Sequence, residues 1–177
     1  VFPNAAAMQE DENLGRLNTT LANGDIDQDG MNELIYAYGA RSFSIWDENG
    51  NLVYDSGSEF ERRLAQLDPE HFNSTNDDND SFKHRSDDKG PEPEAVNIAT
   101  IEGAVYAFIG LERMGGILTY NISDPTAPFF VDYVNNRNFA AAPETREPGD
   151  LGVEDIIYIP AADSPTGAAL VVTANEV

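Results

Sequence analysis

The stretch Glu94-Ala-Val-Asn-Ile-Ala-Thr-Ile-Glu-Gly-Ala-Val-Tyr-Ala-Phe-Ile-Gly-Leu-Glu-Arg113 decides the fold. It holds two runs rich in β-branched and aromatic residues, Ala95–Ile101 and Ala104–Ile109, parted by Glu102-Gly103. Such runs, bounded by turn residues, read as strands of an up-and-down pair. The same texture extends in both directions. Upstream lie Leu34–Tyr38, the alternating Ser42–Trp46, and Asn51–Tyr54 after the turn Glu48-Asn-Gly50. Downstream lie Gly116–Tyr120, Phe129–Val134, Asp155–Ile159 and Ala169–Thr173. One short helix is expected, from Ser58 to Leu67. Many short strands with turn signals between them predict an all-β fold.

The strands also repeat. Glu33-Leu-Ile-Tyr-Ala-Tyr-Gly39, then Arg41, then a strand ending Trp46-Asp47, parallels Val105-Tyr-Ala-Phe-Ile-Gly110, then Arg113, then a strand ending Tyr120-Asn121. A third unit starts at Val153-Glu-Asp-Ile-Ile-Tyr158. Ala37, Ala107 and Val171 are matching points, spaced more widely than the roughly 40 to 50 residues of common propeller blades. Long loops at 68–94 and 135–150 account for the excess. The expectation is a β-propeller fragment of about two to three blades: a lead-in over 1–20, a first blade over 21–67, the long acidic loop 68–94, a second blade over 95–150, and the start of a third over 151–177. A β-sandwich is the alternative. The first residue, Val1, and the apolar run that closes the chain read as those of a piece of something longer, so the remaining blades of the same propeller are an expected partner.

Composition narrows the function. The 177 residues carry 32 acidic groups against 10 Lys plus Arg, a formal net charge of -22. A surface of that sign lacks the basic face that nucleic acid requires and suits divalent cations. With no cysteine, disulfides, thiol catalysis and Cys-ligated zinc are excluded. No apolar stretch approaches the roughly 18 residues of a membrane span, so membrane insertion of this segment is not expected.

The segment Gly24-Asp-Ile-Asp-Gln-Asp-Gly-Met-Asn-Glu33 sets oxygen donors at alternate positions. Asp25, Asp27 and Asp29 can converge where Gly30 permits a sharp turn, with the Met31 carbonyl and Glu33 next in line. Tyr36 occupies the place where an EF-hand has its bidentate Glu, and the following residues are strand-like. The pattern resembles the calcium loops of integrin-type FG-GAP propeller repeats. Hard oxygen ligands without His or Cys select calcium; an Asp-rich turn satisfied by water and its own amides is the plainer reading.

A second acidic group follows from the repeat. Glu94 begins one strand and Glu112 ends the next, so the two share an edge. Glu154 and Glu176 recur in the third unit, and Asp88 and Asp150 precede the two pairs. On the innermost strands of a propeller these residues would ring the central channel. There they would hold a second divalent metal, with Arg113 neutralising an anionic substrate. Glu94, Glu112, Arg113, Glu154 and Glu176 are therefore the catalytic candidates; strand-end groups in solvent are the alternative. Loop 73–94 has a composition that allows disorder, with Phe82, His84 and Arg85 as candidate anchors. Asn73-Ser-Thr and Asn121-Ile-Ser are glycosylation sequons.

Five runs carry a family resemblance: Tyr36–Asp47, Arg85–Glu94, Tyr106–Arg113, Phe130–Arg137 and Ile159–Pro165. They resemble the choice-of-anchor I family, which includes alkaline-phosphatase-like bacterial proteins and mesenchyme-specific cell-surface glycoproteins of biomineralising animals. The resemblance, from about Gly24 to Val177, implies a secreted, propeller-like domain at the cell surface or outside the cell, the periplasm being the alternative. Pro93-Glu94-Ala95 and Val153-Glu154-Asp155 depart from the Pro-Glu-Gly more often expected there. Two functions follow as expectations. One is a calcium-binding extracellular or surface module that binds a mineral, a surface polymer or another partner. The other is a metal-dependent, alkaline-phosphatase-like phosphoesterase acting on a phosphate ester.

Overall fold

The computed structural model describes residues 2–176. Strands make up most of its regular structure. α1 (Ala5–Met8) is followed by β1 (Thr19–Thr20), β2 (Tyr36–Ala37), β3 (Ser44–Trp46), β4 (Leu52–Asp55) and α2 (Glu59–Leu67). Then come β5 (Pro93–Ile101), β6 (Ala104–Leu111), β7 (Ile117–Asn121), β8 (Phe129–Val134), β9 (Val153–Ile159) and β10 (Leu170–Asn175).

The quoted stretch forms the β5–β6 hairpin, and with β7 and β8 it makes a four-stranded antiparallel sheet in the order β5-β6-β7-β8. Alternation divides its residues between two faces. Ala107, Ile109 and Leu111 of β6, with Leu118 and Tyr120 of β7, bury one face under Phe60 and Leu64. Those two residues lie one helical turn apart on α2 and are fully buried, as an amphipathic helix laid on a sheet requires. The outward side of α2 carries the Glu59–Arg63 pair at 2.9 Å. Asp68-Pro69 ends the helix, because the residue before proline is pushed out of the helical region.

The opposite face of β5 and β6 meets β9. Ala95, Ala99 and Phe108 pack on Val153 and Ile156, both 2% exposed. Gly110 makes this approach possible: a Cβ there would lie 2.5 Å from Val153 Cγ1 and 3.1 Å from the Ala95 Cβ. Among the described residues β9 is hydrogen-bonded to β10 alone, and that hairpin repeats β5–β6 in detail. In the first hairpin, Pro93 pairs with Leu111 and Ala95 with Gly110, leaving Glu94 as a bulge. In the second, Val153 pairs with Asn175 and Asp155 with Ala174, leaving Glu154 as a bulge.

Of the strands around the unit read as a first blade over 21–67, β2, β3 and β4 lie inside those bounds and β1 falls in the stretch read as a lead-in; the four stand in two separate pairs, β1–β2 and β3–β4. β2 and β3 are not hydrogen-bonded to each other. Between them Arg41 is drawn away to Glu61 Oε1 (2.9 Å) and the Ser86 carbonyl (2.8 Å). The sheet of the second unit ends at Val134, and 135–150 is irregular.

The acidic loop after α2 is tied down by its own polar groups. Asn73, Ser74 and Ser81 are at most 1% exposed. Lys83 N–H donates to the Phe72 carbonyl and Arg85 N–H to that of Asn73, at 2.8 and 2.9 Å. Of the expected anchors, Arg85 is engaged with Asp88 and Glu92, whereas Phe82 is half-exposed and His84 exposed.

Candidate metal centre

The Asp-rich loop is the turn of the β1–β2 hairpin. Gly30, at φ +90°, gives it a conformation open to glycine. Asp25, Asp27 and Asp29 each bring one carboxylate oxygen within 4.8 Å of the other two. Backbone amides hold them there. Asp29 N–H donates to Asp25 Oδ1 at 3.1 Å, Gly30 N–H to Asp25 Oδ2 at 3.0 Å and Met31 N–H to Asp29 Oδ1 at 2.8 Å. Glu33 stands apart from this triad: its Oε2 accepts the Ile26 N–H at 2.8 Å, and its own N–H donates to the Gly24 carbonyl at 2.8 Å. Glu33 thus ties the base of the loop. Met31 turns its side chain to solvent.

The repeated glutamates also converge. The two bulges fall at Glu94 and Glu154, and a bulge re-aims a side chain at a strand end. Glu112, at the end of β6, is 5% exposed. Its carboxylate belongs to two groups at once: Glu92–Glu94–Glu112 and Glu112–Glu154–Glu176, each with one oxygen per residue within 4.8 Å of the others. Gly152 lets the last of these close in, since a Cβ there would lie 2.9 Å from the Glu176 Cβ. Glu176 is steadied by its N–H on the Gly152 carbonyl (2.8 Å) and by Asn76 Nδ2 on its Oε2 (3.2 Å).

Glu92 was not singled out in the sequence, yet it organises this end of the sheet. Its side chain is 1% exposed and paired with Arg85, with Lys89 at 2.8 Å and with Arg113 at 3.3 Å. Its carbonyl accepts the Glu112 N–H at 2.9 Å, joining the acidic loop to β6. Burial disfavours its charge, but the Lys89 hydrogen bond and the Arg113 and Arg85 charges prevail and hold its pKa down to about 2. Glu112 shows the opposite balance. Burial pushes it up, Arg113 pulls it down, and Glu94 and Glu92 push it up again, to about 7. Only its place between Pro91 and Pro93 marks Glu92 in the sequence.

Arg113, expected to face an anionic substrate, is engaged at all three guanidinium nitrogens. Nε donates to Glu92 Oε1 at 3.3 Å, Nη1 to Asn76 Oδ1 at 2.8 Å, and Nη2 lies 2.8 Å from Glu112 Oε1. Of the sequons, Asn73 is fully buried, with Nδ2 donating to Glu61 (2.6 Å) and Ser86 (3.1 Å); Asn121 is part of β7. No helix among the described residues is long and apolar enough to cross a membrane.

A family model described as "Choice-of-anchor I domain" matches residues 1–125. The chain is 32% identical over 181 residues to Gigasin-3a of Magallana gigas. That match covers 96% of this chain and 63% of the relative, so the chain spans less than two thirds of that protein's length. No solved structure matches.

Proposed function

Because this chain belongs to the choice-of-anchor I family, a family of the cell surface and the extracellular space, we propose that it is a cation-dependent β-propeller module that binds a partner. Calcium is held by Asp25, Asp27 and Asp29. The propeller reading rests on the up-and-down sheet β5–β8 and on the β9–β10 hairpin, which packs against it and repeats its bulge. It extends the all-β architecture to further blades of the same kind.

The convergence of the three aspartates carries the cation reading. Calcium takes oxygen ligands at about 2.3–2.6 Å, so two ligands on opposite sides of one ion stand about 4.6–5.2 Å apart. One oxygen from each aspartate lies within 4.8 Å of the other two, close enough for a single ion to reach all three. Three carboxylates held this close repel one another unless a cation lies between them. The Met31 carbonyl and water would complete the shell, with Glu33 fixing the loop's base. The ion's part is to pin the β1–β2 turn. Glu112, Glu154 and Glu176 form the place for a second divalent cation.

A phosphoesterase needs a cationic group free to meet the phosphoryl oxygens. Arg113 is committed to Glu92, Glu112 and Asn76, and this favours the binding module. Calorimetric titration of the chelator-treated chain with calcium tests the proposal. Saturable binding that Asp27→Ala removes supports it, and no heat of binding in the unaltered chain would reject it. Turnover of a generic phosphomonoester, abolished by Glu112→Ala with Glu154→Ala, would move the reading to the enzyme.

A further inference from the structure

We propose that Asn23–Gly24, at the foot of the Asp-rich loop, is a self-modification site: the Gly24 nitrogen converts the Asn23 amide through a cyclic imide into aspartyl and isoaspartyl forms, and the isoaspartyl form opens the base of the loop. The Gly24 main-chain nitrogen attacks Asn23 Cγ. The N–Cγ bond forms, the Cγ–Nδ2 bond breaks, and Nδ2 leaves as ammonia with the proton that Gly24 gives up. Water then opens the imide. Addition at Cγ restores the ordinary main chain and leaves an aspartate. Addition at the main-chain carbonyl carbon leaves the chain running through Cβ and Cγ, which is the isoaspartyl link. Water enters, ammonia departs, and nothing is oxidised or reduced.

Three glycines in the chain follow an Asn or an Asp, namely Gly24, Gly30 and Gly50. The attack needs a glycine nitrogen that is free of an acceptor. Gly30 N–H donates to Asp25 Oδ2 at 3.0 Å, and Gly50 N–H donates to the Asp47 carbonyl at 3.0 Å. Gly24 N–H meets no acceptor among the described residues. Asn23 is exposed, and its side-chain amide likewise makes no hydrogen bond among the described residues. Asn23 can therefore turn onto the Gly24 nitrogen without breaking a contact. Asp29–Gly30 and Asn49–Gly50 must first give up a hydrogen bond.

The fold demands the glycine of this pair. Gly24 stands at φ +112°, and a Cβ there would lie 2.4 Å from the Leu34 carbonyl oxygen. Its own carbonyl accepts the Glu33 N–H at 2.8 Å and the Leu34 N–H at 3.2 Å. Those two bonds close the base of the loop. An isoaspartyl link adds a carbon to the main chain just ahead of Gly24 and moves its carbonyl off both donors. Asp25 follows directly, so the three aspartates lose their common footing. The weaker hold on calcium that results rests on the reading of the triad as a calcium site; the conversion and the opening of the base do not.

The chain is aged in mildly alkaline buffer with chelator, beside a sample unfolded in urea, and both are followed by peptide mapping with mass spectrometry. Unfolded, the Asn23 and Asn49 pairs should convert at similar rates. Folded, Asn23 should convert about tenfold faster than Asn49, the factor that one hydrogen bond on the Gly50 nitrogen is worth. Asn23→Ser should remove the change at this site and leave that at Asn49. Equal rates in the folded chain, a faster Asn49, or no conversion at Asn23 while the unfolded sample converts would overturn the proposal. In the isoaspartyl form the Glu33 and Leu34 amides should exchange hydrogen about tenfold faster than in the fresh chain; unchanged exchange would overturn the opening of the base. Calorimetry should show the aged chain binding calcium more weakly than the fresh chain, and equal affinity would overturn that consequence. Failure of the fresh chain to bind calcium would strike the calcium reading alone, because the peptide map and the exchange rates are read without it.

Discussion

Replacing Glu92 by Gln isolates the charge that holds the acidic loop to the sheet. Gln keeps the volume and, like Glu, is a side chain at a position with φ +52°. What disappears is an anion, 1% exposed, facing Arg85, Lys89 and Arg113. Its pKa of about 2, against an ordinary 4.5, corresponds to roughly 3 kcal/mol at about 1.4 kcal/mol per unit. That agrees with the few kcal/mol seen when one partner of a buried pair is removed. The sign follows from linkage. A depressed carboxylate contributes its full stabilisation above the unfolded-state value, and loses it as pH falls from 4.5 through 2. Urea unfolding at pH 7 should therefore show Glu92→Gln about 3 kcal/mol less stable, and the gap should narrow steadily toward pH 3. A difference below about 1 kcal/mol at pH 7, or a gap of constant size across that range, would refute the reasoning.

Glu112 should behave in the opposite way. Its pKa is raised to about 7, so in chelator the unaltered chain loses stability as pH climbs from 4.5 through 7. Glu112→Gln, matched to it near pH 4, should become the more stable of the two by pH 8, as thermal melts would show. Gly110→Ala drives a Cβ into Val153 Cγ1 at 2.5 Å. It should cost about 1–3 kcal/mol through overpacking and loosen the approach of Glu154 to Glu112, seen as a lower melting temperature and weaker binding at any glutamate-held cation.

Much of this architecture was legible in the sequence, because period-two runs have few alternatives. β5 to β10 fall where Ala95–Ile101, Ala104–Ile109 and the later runs stand, and the helix read at Ser58–Leu67 is α2. That Glu112 lies near Glu94 in one group and near Glu154 and Glu176 in another was legible as a recurrence at strand starts and ends; the central channel they were expected to ring was not. The bulges that aim Glu94 and Glu154 were not, since a bulge is a matter of register and leaves no residue signature there. Nor was Glu92, whose partners Arg85 and Lys89 precede it by irregular loop and whose third partner, Arg113, comes from another strand. The splitting of the first unit depends on where Arg41 finds its acceptors, Glu61 and Ser86, a tertiary choice that strand periodicity does not encode.

The central claim, that the converged aspartates hold calcium, is met most directly by crystals grown in calcium and then soaked in a lanthanide of similar radius. The account predicts an anomalous difference peak among the side chains of Asp25, Asp27 and Asp29, about 2.3–2.6 Å from one oxygen of each, and its disappearance in Asp27→Ala. Ordered aspartates with no peak between them, at lanthanide concentrations that label other acidic sites, would contradict it.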